Sequence, residues 1–350
     1  MKIVSVVGAR PQFVKLFPIS RAIPTGVNHQ IVHTGQHYDE SMSQIFFDEL
    51  QIPRPIYNLD VGSGTHAQQT AAMMIGLERS FLETKPDVVL VYGDTNSTIA
   101  AALVASKMHI PVAHLEAGLR SFNRFMPEEL NRIATDHLSN LLLAPTTTAL
   151  EQLQREGLGK ISHLVGDVMV DALLYSRELL SGLTPISDEF PERFLFCTIH
   201  RAENVDEESR IRLIFEKLSK SELPIVLAGH PRLVLRLKQL GIDVDKLGIQ
   251  LIGSQSYLRT IQLIMSSSGV ITDSGGLQKE SYFLGKPTLI VRAETEWPEV
   301  LEGELSVLDF MLVGINSFHV NQRRAIIDFK TFGNGESSRK TLDLILREFQ

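Results

Sequence analysis

The 350-residue sequence contains one cysteine, Cys197, so an intramolecular disulfide and a zinc site built from cysteines are both excluded. Basic tracts are also absent, and the formal net charge of −7 gives no electrostatic footprint for nucleic acid. No apolar run approaches the roughly 20 residues that a membrane span requires. No basic and apolar leader precedes the first predicted strand. We therefore expect a cytoplasmic protein that binds neither nucleic acid nor a membrane.

Several ligand motifs are missing or incomplete. The G-x-x-x-x-G-K-[ST] pattern of phosphate-binding loops does not occur. Residues 62–67 match G-x-G-x-x-A, but they follow a proline-broken segment rather than a buried strand. His29, His33 and His37 are spaced by four, yet they straddle a strand and a turn instead of sharing a helix face. We therefore predict no nicotinamide cofactor, no other cofactor and no metal.

A regular alternation of apolar strands and helices runs through the chain. In the first half, strands are predicted at residues 2–7, 30–33, 88–91, 111–114, 141–144 and 162–165. In the second half they are predicted at residues 194–199, 224–228, 249–252, 269–272 and 287–291. Strands that are apolar throughout indicate parallel sheets covered on both faces. The predicted fold class is α/β, with two Rossmann-like doubly wound domains.

Ligands of such open sheets lie beyond the carboxyl ends of the strands. Two such domains facing each other would therefore hold their ligand in a central cleft. We predict an N-terminal domain at residues 1–170 and a nucleotide-binding domain at residues 171–337, with the best candidate for a linker at residues 182–185.

The most informative stretch begins at the strand predicted for residues 269–272. Ser274, Gly275 and Gly276 follow it and open a predicted helix. This construction leaves main-chain N–H groups at a helix start for a phosphate, and glycine allows the anion to come close. Glu280, further along the helix, is placed to accept hydrogen bonds from sugar hydroxyls. An ordinary strand-to-helix turn remains the alternative for this stretch taken alone.

Cations and carboxylates are predicted at the carboxyl ends of strands in the first domain. Arg10 follows the first strand and Lys15 lies a helical turn later, where an anionic ligand would dock. Asp94 and Glu116 end successive strands, and Glu128 begins the next helix. Three carboxylates beside two cations are difficult to explain as structural residues. In the second domain, His200 and Arg201 end the first strand, and His230, after the next strand, is a weaker candidate.

Taken in order, these motifs resemble those of the non-hydrolysing UDP-N-acetylglucosamine 2-epimerases over nearly the whole chain. The matching segments are residues 8–11 with Lys15, residues 93–95, 116–120, 127–132 and 200–204, and residues 272–280. The resemblance implies the two-domain architecture of glycosyltransferases of the B type. It also implies that a C-terminal helix, residues 338–350, packs back on the N-terminal domain, and that the enzyme is a homodimer acting on a UDP-sugar.

The resemblance also implies roles for individual residues. Ser274 and Gly275 would hold the diphosphate together with Arg10, and Glu280 would bind the ribose. The remaining substrate-binding positions are Lys15, Arg132, Arg201, His230 and Gly276. Asp94, Glu116 and Glu128 would surround the sugar, and His200 would assist the departure of UDP. Which carboxylate is the base stays open.

Several residues depart from the family pattern. They are Ala9 and Gln12, where threonine and glutamate are frequent, Ala202, where a second arginine is missing, Lys279, where an acidic residue is usual, and Trp297, where arginine is usual. These variants also resemble relatives that epimerise UDP-2,3-diacetamido-2,3-dideoxyglucuronic acid. Further alternatives are a hydrolysing epimerase or a glycosyltransferase on the same fold, and a UDP-sugar-binding regulator without catalysis. Lys279 is one residue from Glu280 and should therefore point about 100° away from it on the helix.

Overall fold

The computed structural model describes residues 1–36, 46–181, 186, 189–301, 305–319 and 329–350. They form two compact units, Met1–Tyr175 with Phe329–Gln350, and Ser176–Asp328. His37 and the linker predicted at residues 182–185 lie outside the described residues.

Within the described part of the first unit, seven parallel strands form one sheet in the order β3-β2-β1-β4-β5-β6-β7. The strands are β1 Lys2–Val7, β2 Asn28–His33, β3 Tyr57–Asn58, β4 Val88–Tyr92, β5 Val112–Leu115, β6 Leu141–Ala144 and β7 Ser162–Leu164. The helices are Arg10–Ala22, His66–Thr84, Asn96–Lys107, Pro127–Leu138, Thr147–Arg155, Phe329–Phe332 and Ser337–Phe349, and Val168–Leu180 continues into the second unit. A short 3₁₀ turn occupies Gly159–Ile161.

The described part of the second unit repeats this plan with six parallel strands in the order β10-β9-β8-β11-β12-β13. These strands are β8 Leu195–Thr198, β9 Ile225–Ala228, β10 Ile249–Ile252, β11 Gly269–Thr272, β12 Thr288–Ile290 and β13 Ser306–Leu308. The helices are Ala202–Val205, Glu208–Leu218, Pro231–Gln239, Tyr257–Ser266 and Gly275–Phe283, with 3₁₀ turns at Asp245–Leu247 and Pro298–Leu301. The predicted class of two Rossmann-like α/β domains is confirmed.

Burial explains why these runs become strands. Every residue of β4 and β5 is buried, so neither strand has a face that needs polar side chains. One face of the first sheet packs on the helices His66–Thr84 and Asn96–Lys107, which contribute to the same apolar cluster. The second helix is rich in buried alanine, and these small side chains let it lie close to its neighbours.

Strand order reverses once in each sheet. In the first sheet β1 lies between β2 and β4, and in the second sheet β8 lies between β9 and β11. The connections leaving β1 and β4 therefore run to opposite sides, as do those leaving β8 and β11. A crevice opens at such a reversal, and ligands of doubly wound folds bind there.

The C-terminal helix Ser337–Phe349 belongs to the first unit. Its first main-chain N–H groups bind Asp171, at 3.2 Å from Ser337 and 2.8 Å from Ser338. The carboxylate thus satisfies donors that a helix start leaves without an intrahelical acceptor. Burial raises the pKa of Asp171, and these hydrogen bonds act in the opposite direction.

In the described parts of both units, no helix is long and apolar enough to cross a membrane.

We expect Asp171→Ala to lower the free energy of unfolding by about 1–3 kcal/mol, because two buried main-chain donors lose their acceptor. Urea denaturation measures the loss. Asp343→Ala removes an exposed carboxylate from the same C-terminal helix, and it should change stability by less than about 0.5 kcal/mol. Equal losses in the two variants would contradict the capping role.

Candidate active site

Gln12 joins the loops that leave β1 and β4, the two strands at the reversal of the first sheet. Its Oε1 accepts hydrogen bonds from the N–H groups of Gly8 at 2.8 Å and Ala9 at 3.1 Å. Its Nε2 donates to the carbonyl of Tyr92 at 2.9 Å and to Oγ1 of Thr98 at 3.0 Å. A glutamate could not donate these last two bonds in its ionised form. Glutamine therefore suits position 12 better than the glutamate that is frequent in the family.

Lys15 and Glu116, predicted from separate motifs, form a buried ion pair with 2.7 Å between Nζ and Oε1. Gly93 lies against this pair: a Cβ there would be 3.1 Å from Lys15 Nζ and 3.5 Å from Glu116 Oε1, and φ is +61°. Only glycine accepts that conformation and that proximity without strain. Glu116 itself has φ +73°, an uncommon value for a residue with a side chain. Such strain is characteristic of functional positions.

Asp94 contacts Arg132 in an ion pair, and Asn131 Nδ2 donates to the main-chain oxygen of Asp94 at 3.0 Å. Both partners lie on the helix Pro127–Leu138. Glu128 is in the first turn of that helix, four residues before Arg132, so the two share one helix face. Glu128 is exposed, whereas Glu116 is buried and Asp94 is partly buried. The three predicted carboxylates thus lie in one unit: Asp94 after β4, Glu116 after β5, and Glu128 at the start of the helix Pro127–Leu138.

Arg10 is the first residue of the helix Arg10–Ala22, directly after β1, and its side chain is partly buried. It therefore starts from the same edge of the sheet as Asp94, because β1 and β4 are neighbours and parallel.

Asp273 organises the reversal of the second sheet. It is fully buried and accepts hydrogen bonds from the N–H groups of His200 at 3.0 Å and Arg201 at 2.9 Å. Asn204 Nδ2 donates to Oδ2 of Asp273 at 3.0 Å, and His200 Nδ1 lies 3.0 Å from Oδ1 of Asp273. Burial would raise the pKa of Asp273, but the His200 ring and these donors outweigh it and lower the pKa. The carboxylate thereby joins the loop after β8 to the end of β11.

The ring of His200 remains 40% exposed and lies 6.2 Å, centroid to centroid, from the ring of His230. His230 is exposed at the start of the helix Pro231–Gln239, where its Nδ1 accepts from the N–H of Arg232 at 3.3 Å. The two predicted histidines therefore share one edge of the second unit.

Ser274 caps the helix Gly275–Phe283, its Oγ accepting from the N–H of Leu277 at 3.4 Å. Gly275 and Gly276 form the first turn, whose N–H groups have no intrahelical acceptor. A Cβ on Gly275 would lie 3.8 Å from Arg201 Nη2 and 3.9 Å from Glu296 Oε2. The helix start thus meets a cation and an anion.

Glu296 is a residue that sequence reasoning did not assign to the site. Two bonds from Arg292, at 2.6 and 3.1 Å, and a contact with Arg201 at 3.4 Å hold its carboxylate. Burial would raise the pKa of Glu296, yet the two guanidinium groups lower it to about 2. No pattern in the sequence pairs these residues, because Arg201 and Glu296 follow different strands.

Glu280 and Lys279 occupy buried positions of the same helix, 4% and 2% exposed. Lys279 Nζ lies 3.5 Å from the ring centroid of Trp297, which is itself buried. An ammonium over an indole face is a stabilising cation–π contact. Lys279 and Trp297, two of the residues that depart from the family pattern, therefore pack against each other inside the second unit.

Among the residues that the structure describes, no group of three or more histidine, cysteine, aspartate or glutamate side chains is arranged to hold a metal ion.

The two sheets and their loops define an α/β protein with two Rossmann-like domains, one carrying paired carboxylates and cations and the other a helix that begins with two glycines. The chain belongs to the UDP-N-acetylglucosamine 2-epimerase family, whose model matches residues 22–345. The predicted family is thereby confirmed, as is the prediction that the protein is an isomerase.

Individual relatives cover nearly the full length. The chain is 44% identical to the UDP-N-acetylglucosamine 2-epimerase homolog of Methanococcus maripaludis, over 99% of both chains. It is 47% identical to the UDP-2,3-diacetamido-2,3-dideoxy-D-glucuronate 2-epimerase of Pseudomonas aeruginosa, over 88% of both chains. The crystal structure of Methanocaldococcus jannaschii UDP-GlcNAc 2-epimerase with UDP-GlcNAc and UDP superposes with a TM-score of 0.92, at 40% identity, covering 99% of this chain and 100% of that one.

Because the pKa of Asp273 is lowered in the folded protein, the free energy of unfolding should depend on pH in the acidic range. Its stabilising effect is fully present above the unfolded-state pKa of about 3.9 and is lost as the pH falls through the lower folded-state value. Asp273→Asn should therefore be less stable than the wild type by roughly 2–4 kcal/mol at neutral pH. This difference should shrink below about pH 4.

Urea denaturation at neutral and acidic pH tests this expectation, with Asp245→Asn, an exposed position of the same unit, as the matched control. A difference between wild type and Asp273→Asn that stays constant with pH would contradict it.

Proposed function

We propose that the protein interconverts UDP-N-acetylglucosamine and UDP-N-acetylmannosamine without net hydrolysis. The observation that carries the proposal is that one unit holds paired carboxylates and cations, whereas the other holds a capped helix that begins with glycine. Lys15, Glu116, Asp94 and Arg132 form paired charges at the carboxyl edge of the first sheet. The second sheet supplies a capped glycine helix start, which suits a diphosphate.

The chemistry requires both groups of residues. The hydrogen at C2 of the sugar has no adjacent carbonyl to acidify it. If the bond between C1 and the UDP oxygen breaks first, C1 gains oxocarbenium character, and a carboxylate can then remove the C2 proton. The products of this step are UDP and a 2-acetamidoglucal. UDP adds back to C1 while a proton returns to the opposite face of C2, which inverts that carbon.

In this proposal the carboxylates Asp94, Glu116 and Glu128 surround the sugar, stabilise the cationic transition state and include the base. Arg10, Ser274 and Gly275 hold the diphosphate, and His200 stabilises the departing UDP. The partly exposed ring of His200, held by Asp273, supports this role. Lys15, Arg132, Arg201, His230 and Gly276 complete the substrate-binding set, with Glu280 at the ribose.

A second candidate substrate is UDP-2,3-diacetamido-2,3-dideoxyglucuronic acid, because the relative named for it is 47% identical. The charge arrangement favours the neutral sugar. Lys279 packs on Trp297, and Arg292 is paired with Glu296. Both cations near the helix start therefore already have a partner other than the extra carboxylate of a uronate substrate.

Incubating the enzyme with each sugar in deuterium oxide, with proton NMR detection, tests the function. Deuterium at C2 with UDP retained supports epimerisation. A tenfold higher kcat/KM for the uronate, about 1.4 kcal/mol of discrimination, would reverse the order of the two substrates. Accumulation of free UDP as the main product would instead establish hydrolysis, and no exchange with either sugar would overturn the proposal.

The proposal extends to a homodimer that acts in the cytoplasm and supplies the synthesis of a cell-surface polysaccharide. The homodimer rests on the family resemblance. Sedimentation equilibrium of the purified protein tests the homodimer.

Replacing each carboxylate by its amide should separate catalysis from binding. Asp94→Asn, Glu116→Gln and Glu128→Gln should each retain UDP affinity by calorimetry and lose kcat by on the order of 100-fold, since their charge matters most when C1 is cationic. Glu151→Gln, at an exposed position of the first unit, is the matched control. A variant that epimerises at the wild-type rate would remove that residue from the catalytic set.

Glu280→Ala should weaken UDP binding by roughly 1.5–3 kcal/mol, the scale of hydrogen bonds to a charged group. Isothermal titration calorimetry with UDP measures this change. Glu216→Ala, an exposed position of the same unit, should leave the affinity unaltered. The ribose assignment fails if the two variants bind UDP equally well.

A further inference from the structure

His114 is a fully buried histidine on β5, two residues before Glu116, and the mechanism above does not use it. Its two ring nitrogens each lie 2.7 Å from an oxygen atom. The partner of Nδ1 is Oδ1 of Asp136, and the partner of Nε2 is the main-chain carbonyl of Gly93. Gly93 directly precedes Asp94. The ring therefore lies between the β4 connection and the helix Pro127–Leu138.

Asp136, the partner of Nδ1, also holds the loop after β5. Its carboxylate makes three contacts: with the N–H of Gly118 at 3.2 Å, with Arg120 at 2.7 Å and with the His114 ring at 2.7 Å. Burial would raise the pKa of Asp136, but His114 and Arg120 outweigh it and lower the pKa. The His114 ring therefore joins the carbonyl of Gly93 to a buried carboxylate.

Arg120 contacts the carboxylate of Asp136 and also binds Glu156, at 2.9 Å through Nε and 2.7 Å through Nη2. Asp136 is fully buried, so losing the His114 ring would remove one of the few groups that satisfy its carboxylate.

This ion cluster connects to both carboxylate loops. Asp136 binds the N–H of Gly118, which has φ +85° and no room for a Cβ, because Ala149 O would lie at 2.4 Å. Glu129, seven residues earlier on the same helix, accepts from the N–H of Ser121 at 2.8 Å and of Phe122 at 3.0 Å. The loop after Glu116 is therefore held at two points of one helix.

We propose that His114 is a positioning residue for the reaction. Through Gly93 it fixes Asp94, and through Asp136 it fixes the loop of Glu116. It does not touch the substrate. This role rests on the proposed function.

The positioning role is tested by kinetics. His114→Gln should lower kcat by on the order of 100-fold, the scale of a displaced catalytic group, with UDP affinity retained. Asp136→Asn keeps an acceptor for Nδ1 but removes the charge, and it should lose kcat in the same way. His137→Gln, next to Asp136 but exposed, is the control and should epimerise like the wild type.

Wild-type kcat in His114→Gln or in Asp136→Asn would overturn the positioning role and leave the proposed function intact. A fall in UDP affinity that matches the fall in kcat would overturn it as well, since general unfolding would then explain both. If His114→Gln does not fold, Asp136→Asn decides. An inactive wild type would contradict the proposed function itself, which distinguishes that failure from a failure of the positioning role.

Discussion

Asp136 and Asp273 each place a buried negative charge beneath a loop and accept hydrogen bonds from its main-chain N–H groups. A carboxylate can receive several such bonds at once, and in a low-dielectric interior they are stronger than in water. Each also faces a histidine, His114 in the first unit and His200 in the second. In both sheets, a buried aspartate that contacts a histidine thus fixes the loop that follows a strand.

This arrangement separates the groups that hold the backbone from those available to a ligand. The holding carboxylates are buried on all sides, whereas Glu128 and the His200 ring keep exposed surface. Burying a charge is unfavourable unless it is paired or hydrogen-bonded. Asp136 is paired with Arg120, and Asp273 accepts hydrogen bonds from two main-chain N–H groups and from Asn204. The resulting loops are rigid enough to keep Glu116 in a strained conformation.

The alternation of strands and helices was predictable because a strand buried on both faces needs an uninterrupted apolar run. The edge strands β3 and β13 were not predicted, since β3 has no buried residue and β13 has only one, so neither forms a continuous apolar run. Arg10, Asp94 and Glu116 were identifiable because they directly follow strands. Gln12, Asp136 and Glu296 were not, because each has at least one partner that is distant in the chain and becomes a neighbour only when strand order is known. Asp273 lies inside a matched motif, but its partners at the end of β8 could not be inferred.

The contact of Lys279 with Trp297 links the helix that carries Glu280 to the segment that carries Glu296. Neither residue can be exchanged alone for the residue usual in the family. An arginine at 297 would bring a second cation against the buried ammonium, and an acidic residue at 279 would leave a carboxylate facing an indole. Chimeric enzymes that join segments of different family members should be divided so that positions 279 and 297 come from the same parent.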